Sequence, residues 1–306
     1  MFRRILVAVD ESTCSERAGR FALDLAKAIG AGVFFVHVYR FEEGLDPARR
    51  LLEPWAAMGQ KMGVQHAAEP VKAEDTAEGI VRMAQKSGCD LIAMGTHGRE
   101  GLQRMLLGSV AERVSRLAQV PVLLVRDGEG LGLPERILAP VDGSQVGRPA
   151  FELADELARA LGAELLVLHV VPPLPTPVGE PWAARGLPVF SWEEVRRALE
   201  AEGQAILEAA KEQAQAPRVQ TLLRKARGQR ASEVIVEVAR EEGVGLIVMG
   251  THGRSGLERL LLGSVAEGVA HHAPVPLLLV RSGLGEGRLR LSLVPYRWPN
   301  AFRASR

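Results

Sequence analysis

The segment GTHGREGLQRMLLGSVAE at residues 95–112 returns as GTHGRSGLERLLLGSVAE at residues 250–267, identical at 15 of 18 positions. Each copy follows directly on a short apolar run, LIAMG or LIVMG. Such self-similarity at a fixed spacing reads as two repeated units. Its 306 residues are also ample for two domains of ordinary size.

The surrounding order repeats as well. Apolar runs at Ile5–Val9, Val33–Val38, Leu91–Met94 and Val122–Val125 are separated by stretches with helical periodicity, the pattern of a buried parallel sheet. Between the first two runs, Ala18, Phe21, Ala22, Leu25, Ala26 and Ile29 form one apolar stripe, predicting a helix over 16–29 that packs on the sheet. The second half shows runs at Ile137–Val141, Leu165–Val170, Leu246–Met249 and Leu277–Val280, with a helix near Phe151–Leu161. Asp10 matches Asp142 and His37 matches His169 at an offset of 132, which becomes 155 at the glycine segments. The extra residues are assigned to the proline-rich stretch 172–190. The expected fold is α/β, with two tandem doubly wound five-stranded parallel-sheet domains at 1–126 and 135–281. The linker lies at DGEGLGLPE, 127–135, and a tail covers 282–306. The runs PVLLVR and PLLLVR would end the two sheets as edges that need covering, and pairing them would make one chain mimic a dimer.

Composition excludes several classes. Lys plus Arg (38) nearly balances Asp plus Glu (37), so the overall field gives no reason to expect nucleic acid or a membrane surface as partner. The start MFRRILVAVDES has too short an apolar run for a signal peptide or a membrane span. Two distant cysteines, Cys14 and Cys89, form no metal or redox motif and suggest a reducing, cytoplasmic setting.

Within each repeated segment the spacing is G-x-x-G, nine residues, then G-S: Gly95, Gly98, Gly108 and Ser109, and again Gly250, Gly253, Gly263 and Ser264. Loops at the carboxyl ends of strands are the ligand sites of open α/β sheets. Glycines there let backbone N–H groups surround an anion, and the helix predicted after GS offers free N–H groups and a partial positive charge. Arg99 and Arg254 add local cations. A competing reading makes Ser109-x-x-Glu112 and Ser264-x-x-Glu267 capping boxes that serve only their own helices. Asp10 reads either as a site residue at the end of the first strand or as a cap of the first helix. His97 and His252 either orient the loop or meet solvent, since no nucleophile accompanies them. His37 and His169 read as satisfied, partly buried side chains. The first helices, ESTCSERAGRFALDLAKAIG and GSQVGRPAFELADELARALG, have drifted much further apart than the glycine segments.

The strand-Asp start, the G-x-x-G-(nine)-G-S spacing and the phrase GTHGR resemble the universal stress protein family, in its ATP-binding branch, as a tandem two-domain member. The resemblance implies an adenine nucleotide alpha-hydrolase-like sheet ordered 3-2-1-4-5, with ATP at the gap between strands 1 and 4 and a role in stress adaptation. It implies that Asp10 and Asp142 lie at the adenine and ribose end, and that Val38 and Val170 offer backbone contacts to the base. Met94 with Gly95, and Met249 with Gly250, would line the ribose side. Gly98, Arg99, Gly108, Ser109 and Val110 would hold the phosphates of one ATP, and Gly253, Arg254, Gly263, Ser264 and Val265 those of the other. Mg²⁺ would ride on the phosphates without protein ligands. Asp90, replaced by Gly245 in the second half, is read as a turn residue.

Three functions are therefore open. The first is a nucleotide-controlled stress or signalling switch. The second is a slow ATPase or adenylate-handling enzyme, although no S-G-G-x-D-S, H-I-G-H or Walker loop is present. The third is a scaffold that needs no nucleotide; a homodimer and unidentified protein partners are compatible with each. The stretch 172–190 reads as a stiff surface cover, a polyproline partner motif or a lid on the second site, and the arginine-rich tail as a mobile segment or a clasp.

Overall fold

The computed structural model describes residues 1–97, 107–127, 132–173, 192–252 and 262–281. The first half runs β1 (Arg4–Ala8), α1 (Thr13–Ile29), β2 (Gly32–Tyr39), α2 (Leu45–Met62), β3 (His66–Lys72), α3 (Thr76–Lys86), β4 (Leu91–Gly95), α4 (Ser109–Leu117) and β5 (Val122–Val125). The second runs β6 (Arg136–Pro140), α5 (Arg148–Leu161), β7 (Glu164–Val171), α6 (Trp192–Gln213), β8 (Val219–Lys225), α7 (Ala231–Glu241), β9 (Leu246–Gly250), α8 (Ser264–His272) and β10 (Leu277–Val280).

Each half has the expected 3-2-1-4-5 order, all parallel, but the two sheets are one. The continuous order is β3-β2-β1-β4-β5-β10-β9-β6-β7-β8. The seam is the antiparallel pair β5–β10, with Leu124 opposite Leu277 and Val122 opposite Leu279. Pairing hides the two apolar edges that PVLLVR and PLLLVR would otherwise expose.

Strand residues alternate between two cores. One face packs Phe21, Leu25, Phe35 and Trp55 with Phe151 and Leu157, under α1, α2, α5 and α6. The opposite face packs Ile80, Met94 and Val114 with Ile235, Met249 and Val269, under α3, α4, α7 and α8. Both cores run across the seam. The predicted stripe of α1 is buried, and the helix closes at Gly30, whose left-handed conformation (φ 72°) favours a residue without Cβ.

The third strand of each half accounts for the run missing from its sequence, and one expectation changes. Strands β3 (HAAEPVK) and β8 (VQTLLRK) lie at the outer edges, where most of their residues are only half-buried, so neither reads as an apolar run. The length difference between the halves is also divided. Most of the extra residues lie between β7 and β8, around the stretch 172–190, but two lie in the turn from β8 to α7, residues 226–230, where the first half has only 73–75. Most of 172–190, and all of the tail from 282, fall outside the described residues.

Asp90 stands at the start of β4, away from the strands' carboxyl ends. Its carboxylate accepts the backbone N–H groups of Arg3 (2.9 Å) and Arg4 (2.9 Å). Gly245, its counterpart, has Pro134 where a side chain would go, the Cα lying 2.9 Å from a Cβ placed there. The position is structural in both halves.

Candidate functional sites at the two switch points

In each half the chain turns opposite ways after β1 and β4, or after β6 and β9, and a cleft opens between their carboxyl ends. The first cleft has a volume of about 500 Å³ and the second about 370 Å³. Their walls correspond position by position. Asp10, His37, Val38, Ile80 and Met94 in the first answer to Asp142, His169, Val170, Ile235 and Met249 in the second. Gly95, Gly108, Ser109 and Val110 likewise answer to Gly250, Gly263, Ser264 and Val265. The described expected residues are therefore brought together twice. Gly98, Arg99, Gly253 and Arg254 lie outside the described residues.

Asp10 does not cap α1. The cap is Ser12, whose Oγ accepts the Ser15 N–H at 3.1 Å, while Asp10 Oδ1 accepts the Ser12 N–H at 2.8 Å. The second half repeats the device: the Ser144 N–H and hydroxyl donate to Asp142 Oδ1 at 3.0 and 2.6 Å, and Ser144 Oγ accepts the Gly147 N–H at 3.1 Å. A neighbouring serine thus fixes one oxygen of each aspartate at a half-buried position on the cleft wall. Ser15, which also accepts the Asp10 N–H (2.8 Å), has Gly147 as its counterpart, a difference that spacing alone does not reveal.

His37 and His169 are satisfied, as expected: each Nδ1 donates to the carbonyl of the residue following β1 or β6, Val9 at 2.7 Å and Val141 at 2.8 Å. They lock β2 and β7 against the strands that carry the aspartates. His97 and His252 are held through Nδ1 by the preceding threonine, at 2.9 and 3.0 Å, and their buried Nε2 atoms have no hydrogen-bond partner among the described residues. Burial, aided by the nearby Arg126 charge, lowers the pKa of His97, so its neutral form is favoured.

The glycine segment is pinned at both ends. The Thr96 N–H donates to Val125 O at 3.0 Å, and after the loop the Gly108 N–H returns to Thr96 O at 2.8 Å. The second half repeats both bonds, Thr251 to Val280 (2.9 Å) and Gly263 to Thr251 (2.8 Å). Gly108 and Gly263 are the N-caps, so Ser109 and Ser264 are the first helical residues and no capping box forms. Among the described residues no side chain caps these turns, and the N–H groups of 109–111 and 264–266 stand at the cleft wall. Each cleft thus combines an apolar base, a carboxylate at mid-wall and an anion-accepting helix end. That combination suits a ligand with a flat apolar part, hydroxyls and an anionic end. Among the described residues no cluster of three or more His, Cys, Asp or Glu side chains could hold a metal. No helix among them is long and apolar enough to cross a membrane.

Fold and site define a tandem α/β protein with two clefts whose walls correspond position by position. The model of the universal stress protein family matches residues 1–126 and 134–281, and the chain belongs to that family. A universal stress protein of Mycolicibacterium smegmatis is 30% identical over 301 residues, covering 90% of this chain and 96% of its own. One from Methanocaldococcus jannaschii is 40% identical over 158 residues, 52% of this chain and 87% of its own. The crystal structure of an Archaeoglobus fulgidus universal stress protein shares the fold, with a TM-score of 0.69 at 22% identity over 92% of this chain and 98% of that one.

Proposed function

We propose that this universal stress protein binds one ATP in each cleft, with Mg²⁺ carried on the phosphates, and acts in the cytoplasm as a nucleotide-dependent regulator of the stress response. The segments 1–126 and 135–281 serve as its two binding domains. The observation that carries the reading is the recurrence of one complete wall in both halves, from Asp10 and Asp142 to the uncapped helix ends at Gly108 and Gly263.

The aspartate accepts a hydrogen bond from adenine or ribose, and the strand-end backbone at Val38 or Val170 meets the base. Met94 with Gly95, and Met249 with Gly250, support the sugar. The phosphates lie against Gly108, Ser109 and Val110, or Gly263, Ser264 and Val265, where first-turn N–H groups meet negative charge; Gly98, Arg99, Gly253 and Arg254 complete the cradles. His97 and His252 hydrogen-bond the hydroxyls of Thr96 and Thr251 at 2.9 and 3.0 Å, so whether bound ATP is turned over is decided by following phosphate release. The test is calorimetric titration of ATP with Mg²⁺ into nucleotide-stripped protein, with phosphate release followed on the same sample. Two ATP per chain with negligible release supports the reading; brisk release makes the protein an ATPase, and no binding leaves a scaffold.

A further inference from the structure

The helices that end at the clefts begin a second set of contacts at their other ends. Arg126 follows β5, and its Nη2 donates across the seam to the carbonyls of Ala270 (2.6 Å) and His271 (2.5 Å), in the last turn of α8. Arg281 follows β10 at the equivalent position, and its Nη1 donates back to the carbonyls of Arg116 and Ala118 at the end of α4, both at 3.0 Å. Each half therefore supplies the cation that caps the helix whose N-terminus belongs to the other half's cleft. Cation at one end and anion at the other complement the same helix dipole.

Each arginine is also rooted in its own cleft. The peptide carbonyl immediately before Arg126 is Val125 O, which accepts the Thr96 N–H, and the one before Arg281 is Val280 O, which accepts the Thr251 N–H. Thr96 and Thr251 line the two clefts. A third link runs one way only: the Leu107 N–H, one residue before the glycine that caps α4, donates to His271 Nδ1 at 3.1 Å. The position equivalent to His271 is Arg116, which has no accepting nitrogen, so the second cleft lacks this link.

Resting on the reading that both clefts take an adenine nucleotide, we infer that the two sites are positively coupled through the reciprocal caps of Arg126 and Arg281. An anion at the N-terminus of α8 is favoured when Arg126 is held at its C-terminus. Arg126 is held more firmly when a ligand orders the Thr96–Val125 ladder behind it; the same applies to α4, Arg281 and the Thr251–Val280 ladder. Coupling between sites is reciprocal, so filling either cleft raises the affinity of the other.

The experiment is calorimetric titration of ATP with Mg²⁺ into full-length wild type, Gly263→Val, and the double variant Arg126→Gln/Arg281→Gln, each checked for folding by circular dichroism. Wild type is expected to bind two ATP with the second step favoured about fivefold or more over independent sites. Gly263→Val should bind one ATP, weaker by a similar factor than the tighter wild-type step, and the double arginine variant should bind two ATP independently. Independent wild-type sites, or cooperativity that survives in the double variant, would overturn the coupling while leaving two nucleotide sites in place. Absence of binding in wild type would remove the nucleotide reading and the coupling with it. If the double variant does not fold, Gly263→Val decides: a first cleft as tight as the tighter wild-type step overturns the inference.

Discussion

A Cβ on Gly95 would lie 2.8 Å from the Cβ of Cys14 and 2.8 Å from the backbone nitrogen of Ser15. The first glycine of the repeated segment therefore also serves packing: it lets α1 approach the end of β4. Gly250 is less confined, with His252 O at 3.2 Å and the Cα of Gly147 at 3.6 Å, because α5 begins only at Arg148 and a turn takes the place that the first residues of α1 hold against Gly95. Gly95→Ala should cost about 1–3 kcal/mol by overpacking, and Gly250→Ala distinctly less. Urea unfolding of both variants beside wild type measures the difference, and equal losses would refute the account.

Gly108→Val should empty the first site alone. Its Cβ would stand 2.8 Å from Thr96 O, against the bond that closes the loop, and its branches would crowd the first turn of α4. Calorimetry should give one ATP per chain in place of two. Unchanged stoichiometry would show that the phosphates do not lie at this helix end.

Both thiols should be inert in the folded protein. Cys14 and Cys89 are buried, at 3% and 1% exposure. Burial raises both, Cys89 to about 12, with the Asp127 charge a second cause at Cys14. Because the folded Cys89 thiol holds its proton where the unfolded one, near 9.0, has lost it, stability should fall as pH climbs from about 9 towards about 12. A thiol reagent at pH 8 should label neither cysteine quickly in native protein and both after denaturation.

His97 should titrate below the ordinary histidine value of 6.5, since burial and then the charge of Arg126 disfavour its cation. The unfolded chain then holds more protons between the two pKa values. This contribution to stability is present above about 6.5 and is lost as pH falls through the folded value. In an NMR titration, Arg126→Gln should move the His97 midpoint upward. An unmoved midpoint would detach Arg126 from the first cleft.

Much of the architecture is legible in the chain because buried strands must be apolar and a helix on a sheet must carry one apolar stripe. Val122–Val125 and Leu277–Val280 match the predicted runs residue for residue. Edge strands escape that logic: β3 and β8 each have one strand neighbour and half-buried faces, so polar residues are tolerated and the periodicity fades. Helix caps escape it too. Ser109-x-x-Glu112 satisfies the capping-box pattern, yet Gly108 occupies the cap and Glu112 pairs with Arg116 at 2.6 Å.

By itself the sequence determined that there are two halves, each doubly wound, and that each carries an aspartate after its first strand and a glycine segment after its fourth. Those features depend on local periodicity and spacing, which a linear chain displays directly. Only the tertiary structure decided that the halves share one sheet and two cores, that Ser12 and Ser144 aim the aspartates, and that Arg126 and Arg281 exchange helix ends across the seam. These depend on which distant residues are brought within hydrogen-bonding reach, and a guanidinium 144 residues from the carbonyl it caps leaves no periodic trace.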